Sequence, residues 1–245
     1  MRKLSGKTYW MVGASEGLGR ALALKLSKAG VSLVLSARKE ESLKALAEEL
    51  PGPARIVLCD VSDRDSVIAA AKEAGEIDGL IYLAGVYWPF PAQEWNAEQT
   101  EAMFDVNLTG AARVLGQVVP AMVARGAGHI VITGSLSGYR GLPGSIGYSS
   151  SKAGLMHLAE SMHADLRNSG VDVQLANPGF IRTRLTDKNE FHMPFLMEPA
   201  QAADEMLTLM RSTKFQRAFP GLFSLVFRGA NFLPDWAYYR IFGAK

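Results

Sequence analysis

The stretch Val12-Gly13-Ala14-Ser15-Glu16-Gly17-Leu18-Gly19 decides the fold. It follows an apolar run, Thr8 to Val12, that reads as a strand. It leads into a segment where Leu18, Ala21, Leu22 and Leu26 recur at helical spacing, closed by Gly30 as a C-terminal cap would close it. Strand, glycine turn and helix in that order make the first half of a βαβ unit. A dinucleotide pyrophosphate binds at such a turn, on the positive end of the helix. Glycine allows the tight turn and lets backbone approach phosphate with no Cβ between them. The spacing is G-x-x-x-G-x-G rather than the general G-x-G-x-x-G. With 24 glycines in the chain, a turn without a ligand is the plain alternative, and the placement between strand and helix argues against it.

Outward from this turn the alternation continues. Val31 to Leu35 reads as a second strand, and Leu43, Leu46 and Leu50 mark a helical stripe that the Pro-Gly-Pro at 51–53 stops. Further strands are expected at Arg55–Cys59, Leu80–Leu83, His129–Thr133 and Val171–Ala176, with helices between them and one near Pro199–Arg211. Most of these strands are apolar runs, as expected when helices cover both faces of a sheet. The expected fold is α/β: a single doubly wound Rossmann-type domain over residues 1–245. Its parallel sheet has about seven strands with helices on both faces.

Composition narrows the function classes. Of 245 residues, 48% are hydrophobic and 20% charged, which suits a globular core and not a disordered chain. A net charge of +2, with basic and acidic residues interspersed, points to no nucleic acid. A single cysteine, Cys59, fits a reducing, cytoplasmic location. The opening MRKLSGKTYWMVG is too polar for a secretory signal, and no run of 18 apolar residues suggests a spanning helix. The four histidines have no metal-ligand spacing, so no metal is expected. His129 before Ser135 makes no hydrolase site, because G-x-S-x-G is absent around the serine.

Two further groups carry chemistry. Past the second strand comes Ser36-Ala37-Arg38-Lys39, with no acid where a carboxylate would grip the ribose 2′-hydroxyl of NAD. The guanidinium of Arg38 suits a 2′-phosphate, so NADP is favoured over NAD. Tyr148 and Lys152, four apart, share one helix face. An ammonium beside a phenol is expected to lower the phenol's pKa toward the working pH, as a general acid/base requires. Ser135 follows the apolar strand at 129–133, at the carboxyl edge of the sheet where ligand crevices lie. Asn107 interrupts a helical stretch, where asparagine is unfavourable unless its side chain has a role such as holding a water.

In combination these residues resemble the classical short-chain dehydrogenase/reductase family over about residues 5–215. The matching parts, in the family's order, are Gly13-x-x-x-Gly17-x-Gly19, Asp60-Val61, Ala84-Gly85, Asn107, Ser135, Tyr148-x-x-x-Lys152, and Pro178-Gly179 followed by Thr183. The resemblance implies a catalytic tetrad. Tyr148 would be the acid/base, Ser135 would orient the substrate oxygen, Lys152 would bind the nicotinamide ribose, and Asn107 would hold a water. It also implies a cofactor site made of Gly13, Ser15, Gly17, Leu18, Gly19, Arg38, Asp60, Val61, Ala84, Gly85, Tyr148, Lys152, Pro178, Gly179 and Thr183. Asp60 and Val61 would lie at the adenine and Thr183 at the carboxamide. The chain departs from the family pattern at Val12, where the family has Thr, and at Tyr82-Leu83, where it has Asn-Asn.

On the substrate side, Tyr87, Trp88, Pro89, Phe90, Leu142 and Ile146 are expected to surround the reacting carbon. A substrate lid over 180–198 adds Phe191, Met193, Phe195, Leu196 and Met197. Such a lining suits an apolar or bulky alcohol or carbonyl compound. The expected function is NADP(H)-dependent interconversion of an alcohol and a ketone or aldehyde. The alternatives are a non-catalytic NADP(H)-binding regulatory protein and a sugar-nucleotide epimerase. A homodimer or homotetramer is expected. The apolar C-terminal extension at 219–245 would cover the substrate mouth, pack on a partner subunit or touch a membrane peripherally.

Overall fold

The computed structural model describes residues 1–243. Seven strands form one sheet: β1 (Thr8–Val12), β2 (Ser32–Ser36), β3 (Ala54–Ile56), β4 (Gly79–Tyr82), β5 (Gly128–Thr133), β6 (Val171–Pro178) and β7 (Gln216–Phe219). Their order is β3-β2-β1-β4-β5-β6-β7 and every pairing is parallel. The helices are α1 (Gly17–Lys28), α2 (Glu40–Glu49), α3 (Arg64–Ala74), α4 (Ala97–Phe104), α5 (Gly110–Ala124), α6 (Ile146–Leu166), α7 (Pro199–Arg211), α8 (Gly221–Ala230) and α9 (Asp235–Phe242).

Side chains of β1 alternate between two buried clusters, which explains why the strand is apolar throughout. Trp10 and Val12 join Val67 of α3, Val114 of α5 and Leu155 of α6 on one face. Tyr9 and Met11 join Leu22 of α1, Leu43 of α2 and Met206 of α7 on the other. Parallel strands linked by crossover helices must be covered on both sides, and this sheet is.

Two expectations need correction. β3 is shorter than Arg55–Cys59, although the amides of Val57 and Cys59 still bond the carbonyls of Leu35 and Ala37 at 3.0 and 3.2 Å. β7 was not among the strands expected from sequence. It is an edge strand that pairs with β6 alone, so Gln216 and Arg217 need no apolar surroundings, and no apolar run announces it. The extension at 219–245 therefore begins inside the sheet, with Phe219 buried at the end of β7. Its last two residues, 244–245, lie outside the described residues. Among the described residues no helix is long and apolar enough to cross a membrane.

Candidate active site

Because all seven strands run one way, their carboxyl ends line a single edge. The sheet order reverses between β1 and β4, and a crevice opens at such a point. Gly13 sits there with φ +93°, and a Cβ on it would lie 2.5 Å from the Ala84 amide nitrogen. A Cβ on Gly19 would lie 2.1 Å from the Gly13 carbonyl oxygen. The turn is thus closed tightly by glycine alone. At the start of α1 no side chain caps the helix and no acid occupies the first turn, which leaves its leading amides for another acceptor.

These amides border a cleft of about 420 Å³. Gly13, Gly17, Leu18, Gly19, Gly85, Tyr148, Lys152, Pro178, Gly179 and Thr183 line it. Ala84 lies directly beneath Gly13. Ser15 is half-buried in the same loop. Arg38, Asp60 and Val61 lie outside the cleft lining, just past β2 and β3, with Arg38 exposed. Burial would raise the Asp60 pKa, but hydrogen bonds from the Ser62 hydroxyl and amide, with Arg38 and Arg113 nearby, hold its carboxyl below the usual range. Apart from the outlying adenine side, the residues predicted for a dinucleotide converge on one groove, and the groove fits such a group.

A second cavity, of about 560 Å³, adjoins the first and shares Tyr148, Gly179, Leu185 and Thr186 with it. Of the predicted apolar residues, Tyr87, Pro89, Phe90, Leu142 and Phe191 line it; Phe180, Phe223 and Phe227 join them. Trp88, Ile146, Met193, Phe195, Leu196 and Met197 are not part of the lining. Trp88 lies under the Lys188 ammonium, 4.4 Å from ring centroid to Nζ. Met197 packs on the core beside α7, its backbone paired with Phe180 and Arg182. The segment 180–198 is tied to the loop after β4: Tyr87 donates to Asn189 Oδ1 at 2.9 Å and Lys188 donates to the Tyr87 carbonyl at 2.6 Å.

Where the two cavities meet, Tyr148 and Ser135 stand side by side. Burial pushes the Tyr148 phenol up to about 12, partly offset by a hydrogen bond from the Ser135 hydroxyl. Tyr87 packs edge-on to Tyr148 with ring centroids 4.9 Å apart. Lys152 Nζ lies 5.7 Å from the Tyr148 ring centroid and donates to the Thr133 carbonyl at 2.8 Å. The expectation that Lys152 draws the phenol's pKa down is not met. Burial dominates, and it also lowers Lys152 itself to about 8.

That shift has a testable consequence. Between about 8 and the ordinary 10.5, the unfolded chain holds a proton on residue 152 that the folded chain has lost. The contribution of this group to stability therefore rises with pH across that window. Lys152→Met is expected to remove this rise, read from denaturant unfolding curves of both proteins at several pH values.

Asn107 reaches the site from a single wide turn, Asp105–Thr109, with the hydrogen-bond spacing of a π-helix, between α4 and α5. Such turns gather at functional sites. Its Oδ1 accepts from Val86 N at 2.8 Å, and its Nδ2 donates to Val86 O at 3.1 Å and Ser151 Oγ at 3.0 Å. Both amide hydrogens are engaged, so a water at this side chain has only the second lone pair of Oδ1 to bond. His129 belongs elsewhere: it sits near the start of β5 and holds the Tyr9 hydroxyl and Gln174, away from Ser135.

Residues 7–193 match the family model for short chain dehydrogenase. The chain belongs to the short-chain dehydrogenase/reductase family. It is 38% identical to an "uncharacterized oxidoreductase" of Myxococcus xanthus, over 96% of each chain. It is 30% identical to the 3-oxoacyl-(acyl-carrier-protein) reductase FabG of Rickettsia prowazekii, over 77% of this chain and 78% of that one. A solved short-chain dehydrogenase/reductase family protein superposes with a TM-score of 0.82 at 27% identity, covering 89% of this chain and 97% of the other. The protein is an oxidoreductase of a family that binds a nicotinamide dinucleotide and acts on small molecules.

One departure from the family pattern has a visible use in this short-chain dehydrogenase. The Tyr82 hydroxyl donates to Val106 O at 2.6 Å, taking a carbonyl of the wide turn that carries Asn107. Two positioning residues escaped the sequence reading. Ser137 donates from both its amide and its hydroxyl to Ser135 Oγ, at 3.2 and 3.0 Å. Ser151 links Asn107 to the Tyr148 carbonyl, at 3.0 and 2.9 Å. Ser151 sits in a run of three serines, and nothing in the sequence separates it from its neighbours.

Proposed function

We propose that this enzyme interconverts an alcohol and a ketone or aldehyde on an apolar substrate, using NADP(H), with Tyr148 as general acid/base. One observation carries the reading: the dinucleotide groove and the apolar cavity meet at Tyr148 and share it. When bound, the cofactor supplies the hydride. The protein supplies orientation and the proton. Ser135 Oγ accepts two hydrogen bonds from Ser137, so its own hydrogen is left to donate. Tyr148, with its pKa near 12, keeps its proton at neutral pH. Two O–H donors thus converge on the place where a substrate oxygen gathers charge as a carbonyl is reduced.

Lys152, whose ammonium is anchored on the Thr133 carbonyl, would bind the ribose next to the reacting ring. Asn107 fixes the loop at Val86 to α6 and keeps Gly85 open; a Cβ on Gly85 would lie 3.3 Å from Asn107 Oδ1. The 180–198 segment would act as a lid over both cavities. Arg184 already pairs with Glu16 of the glycine turn at 2.9 Å.

NADP is favoured by Arg38, exposed and without an ion-pair partner among the described residues. Fluorescence titration is expected to show NADPH binding tighter than NADH. Arg38→Ala should weaken NADPH by about 10- to 100-fold, the scale of a lost charge-assisted phosphate contact, and leave NADH nearly unchanged. Tighter NADH binding by the unaltered protein would reverse the cofactor assignment. Consumption of NADPH across a panel of aliphatic and aromatic ketones, aldehydes and quinones tests the reaction itself. A panel without turnover would refute it.

A further inference from the structure

The helices after β7 have two unlike faces. The inner face of α8 belongs to the apolar cavity, with Phe223 and Phe227 in its wall. Phe223 also stacks on Phe195 of the 180–198 segment, at a centroid distance of 5.3 Å. The outer face is apolar as well, and exposed. Leu222, Leu225, Val226 and Phe232 follow at helical spacing, and Trp236 and Ile241 continue the patch on α9. Phe232 is 90% exposed, Trp236 74% and Leu222 73%. Scattered exposed apolar residues are ordinary in soluble proteins; this many large ones within twenty consecutive residues mark an interaction surface.

The two helices are held firmly in this pose. Arg140 donates to the carbonyls of Ala230 and Leu233, both at 2.8 Å, and pairs with Asp235 at 2.6 Å. Its guanidinium also lies 3.9 Å from the Tyr238 ring centroid, and Tyr238 donates to the Gly141 carbonyl at 2.7 Å. The patch is presented on a fixed support.

Charge decides the occupant. Asp235 is the sole acid from 219 to 245, and Arg140 takes it. Arg228 and Arg240, exposed at the patch, have no ion-pair partner among the described residues. A two-fold contact between copies would bring these arginines together with no acid to pair them, at a repulsive cost. An anionic lipid surface meets both requirements at once: it neutralises the arginines and accepts the leucines and aromatic rings.

We infer that the outer face of α8 and α9 lies on an anionic membrane surface, and that a lipid-dissolved carbonyl or alcohol enters the cavity from that surface along the inner face of α8. The entry step rests on the oxidoreductase reading above; the docking step does not.

Docking is tested by co-sedimenting the full chain with vesicles of phosphatidylcholine alone and of equimolar phosphatidylcholine and phosphatidylglycerol. The chain is expected to pellet with the anionic vesicles. Arg228→Ala with Arg240→Ala should weaken that binding by about tenfold to thirtyfold, since each cation near an anionic surface contributes about a fivefold factor. Leu225→Glu with Phe232→Glu should abolish it, with the melting temperature and NADPH titration unchanged. Tryptophan emission should shift to the blue with anionic vesicles, and Trp236→Phe should remove the shift.

A chain that stays in the supernatant, or variants that pellet like the unaltered protein, would overturn the docking. So would a particle mass by light scattering that halves in the Leu225→Glu, Phe232→Glu variant when no vesicle binding is seen; the patch would then join two copies. For entry, the same acidic variant should reduce a long-chain ketone held in anionic vesicles at least tenfold more slowly, and a short water-soluble ketone at an equal rate. Equal rates on both ketones would overturn entry alone. No turnover of either ketone by the unaltered protein would count against the oxidoreductase reading, with the vesicle result standing apart.

Discussion

Tyr148→Phe is expected to remove turnover while leaving NADPH affinity within about twofold of the starting value. The substitution deletes one oxygen and keeps the ring, so the edge-on contact with Tyr87 survives. What is lost is the proton donor shared by the two cavities. Positioned proton transfer contributes about 10²- to 10⁴-fold to a rate, so the loss in kcat should fall at or above the upper end of that range. The effect should appear in kcat rather than in cofactor binding, because the phenol contacts the reacting oxygen and the cofactor is held mainly by backbone and by Lys152. NADPH consumption gives the first quantity and quenching of tryptophan emission the second. A variant that keeps a tenth or more of its kcat would remove Tyr148 from the role proposed for it.

Gly13→Ala should damage the cofactor site and the fold together. The backbone at residue 13 has φ +93°, beyond the left-handed region that other residues tolerate, and strain of this kind costs about 1–3 kcal/mol. The added methyl would also lie 2.5 Å from the Ala84 amide nitrogen and 2.8 Å from the Leu83 carbonyl carbon. Those atoms are backbone in the central part of the sheet: Leu83 and Ala84 both bond the Val12 carbonyl, at 2.8 and 3.0 Å. They cannot swing aside as a side chain would. Relief requires β1 and β4 to separate where the crevice opens. A loss of about 3 kcal/mol or more follows, lowering Tm by about 6–12 °C in a chain of this size. Thermal unfolding checks the stability, and NADPH titration of the surviving folded protein should show weaker binding. An unchanged Tm would mean that the turn is less tightly closed than the distances imply.

The sequence was most informative where a backbone requirement forces a residue type. Gly13, Gly17 and Gly19 announced the turn because no other residue fits it. The apolar runs of β1, β4 and β5 announced central strands because both their faces are covered. Tyr148 and Lys152 were legible as a pair because four residues along a helix is a fixed geometric relation. Legibility failed where the signal was not local. β7 pairs on one side only, and no periodicity marks it. Ser137 and Ser151 look like any other serine until the turn after β5 and the wide turn before α5 place acceptors beside them.

By itself the sequence determined the class of fold, the family and the set of residues at the strand ends, because those follow from short-range spacing and from the one-way run of parallel strands. The tertiary structure decided the electrostatics and the surfaces. Only packing showed that burial outweighs Lys152 at the phenol, that α8 is at once cavity wall and outer face, and that Asp235 is spent on Arg140. Desolvation and exposure depend on everything that surrounds a group, and that surrounding comes from distant parts of the chain.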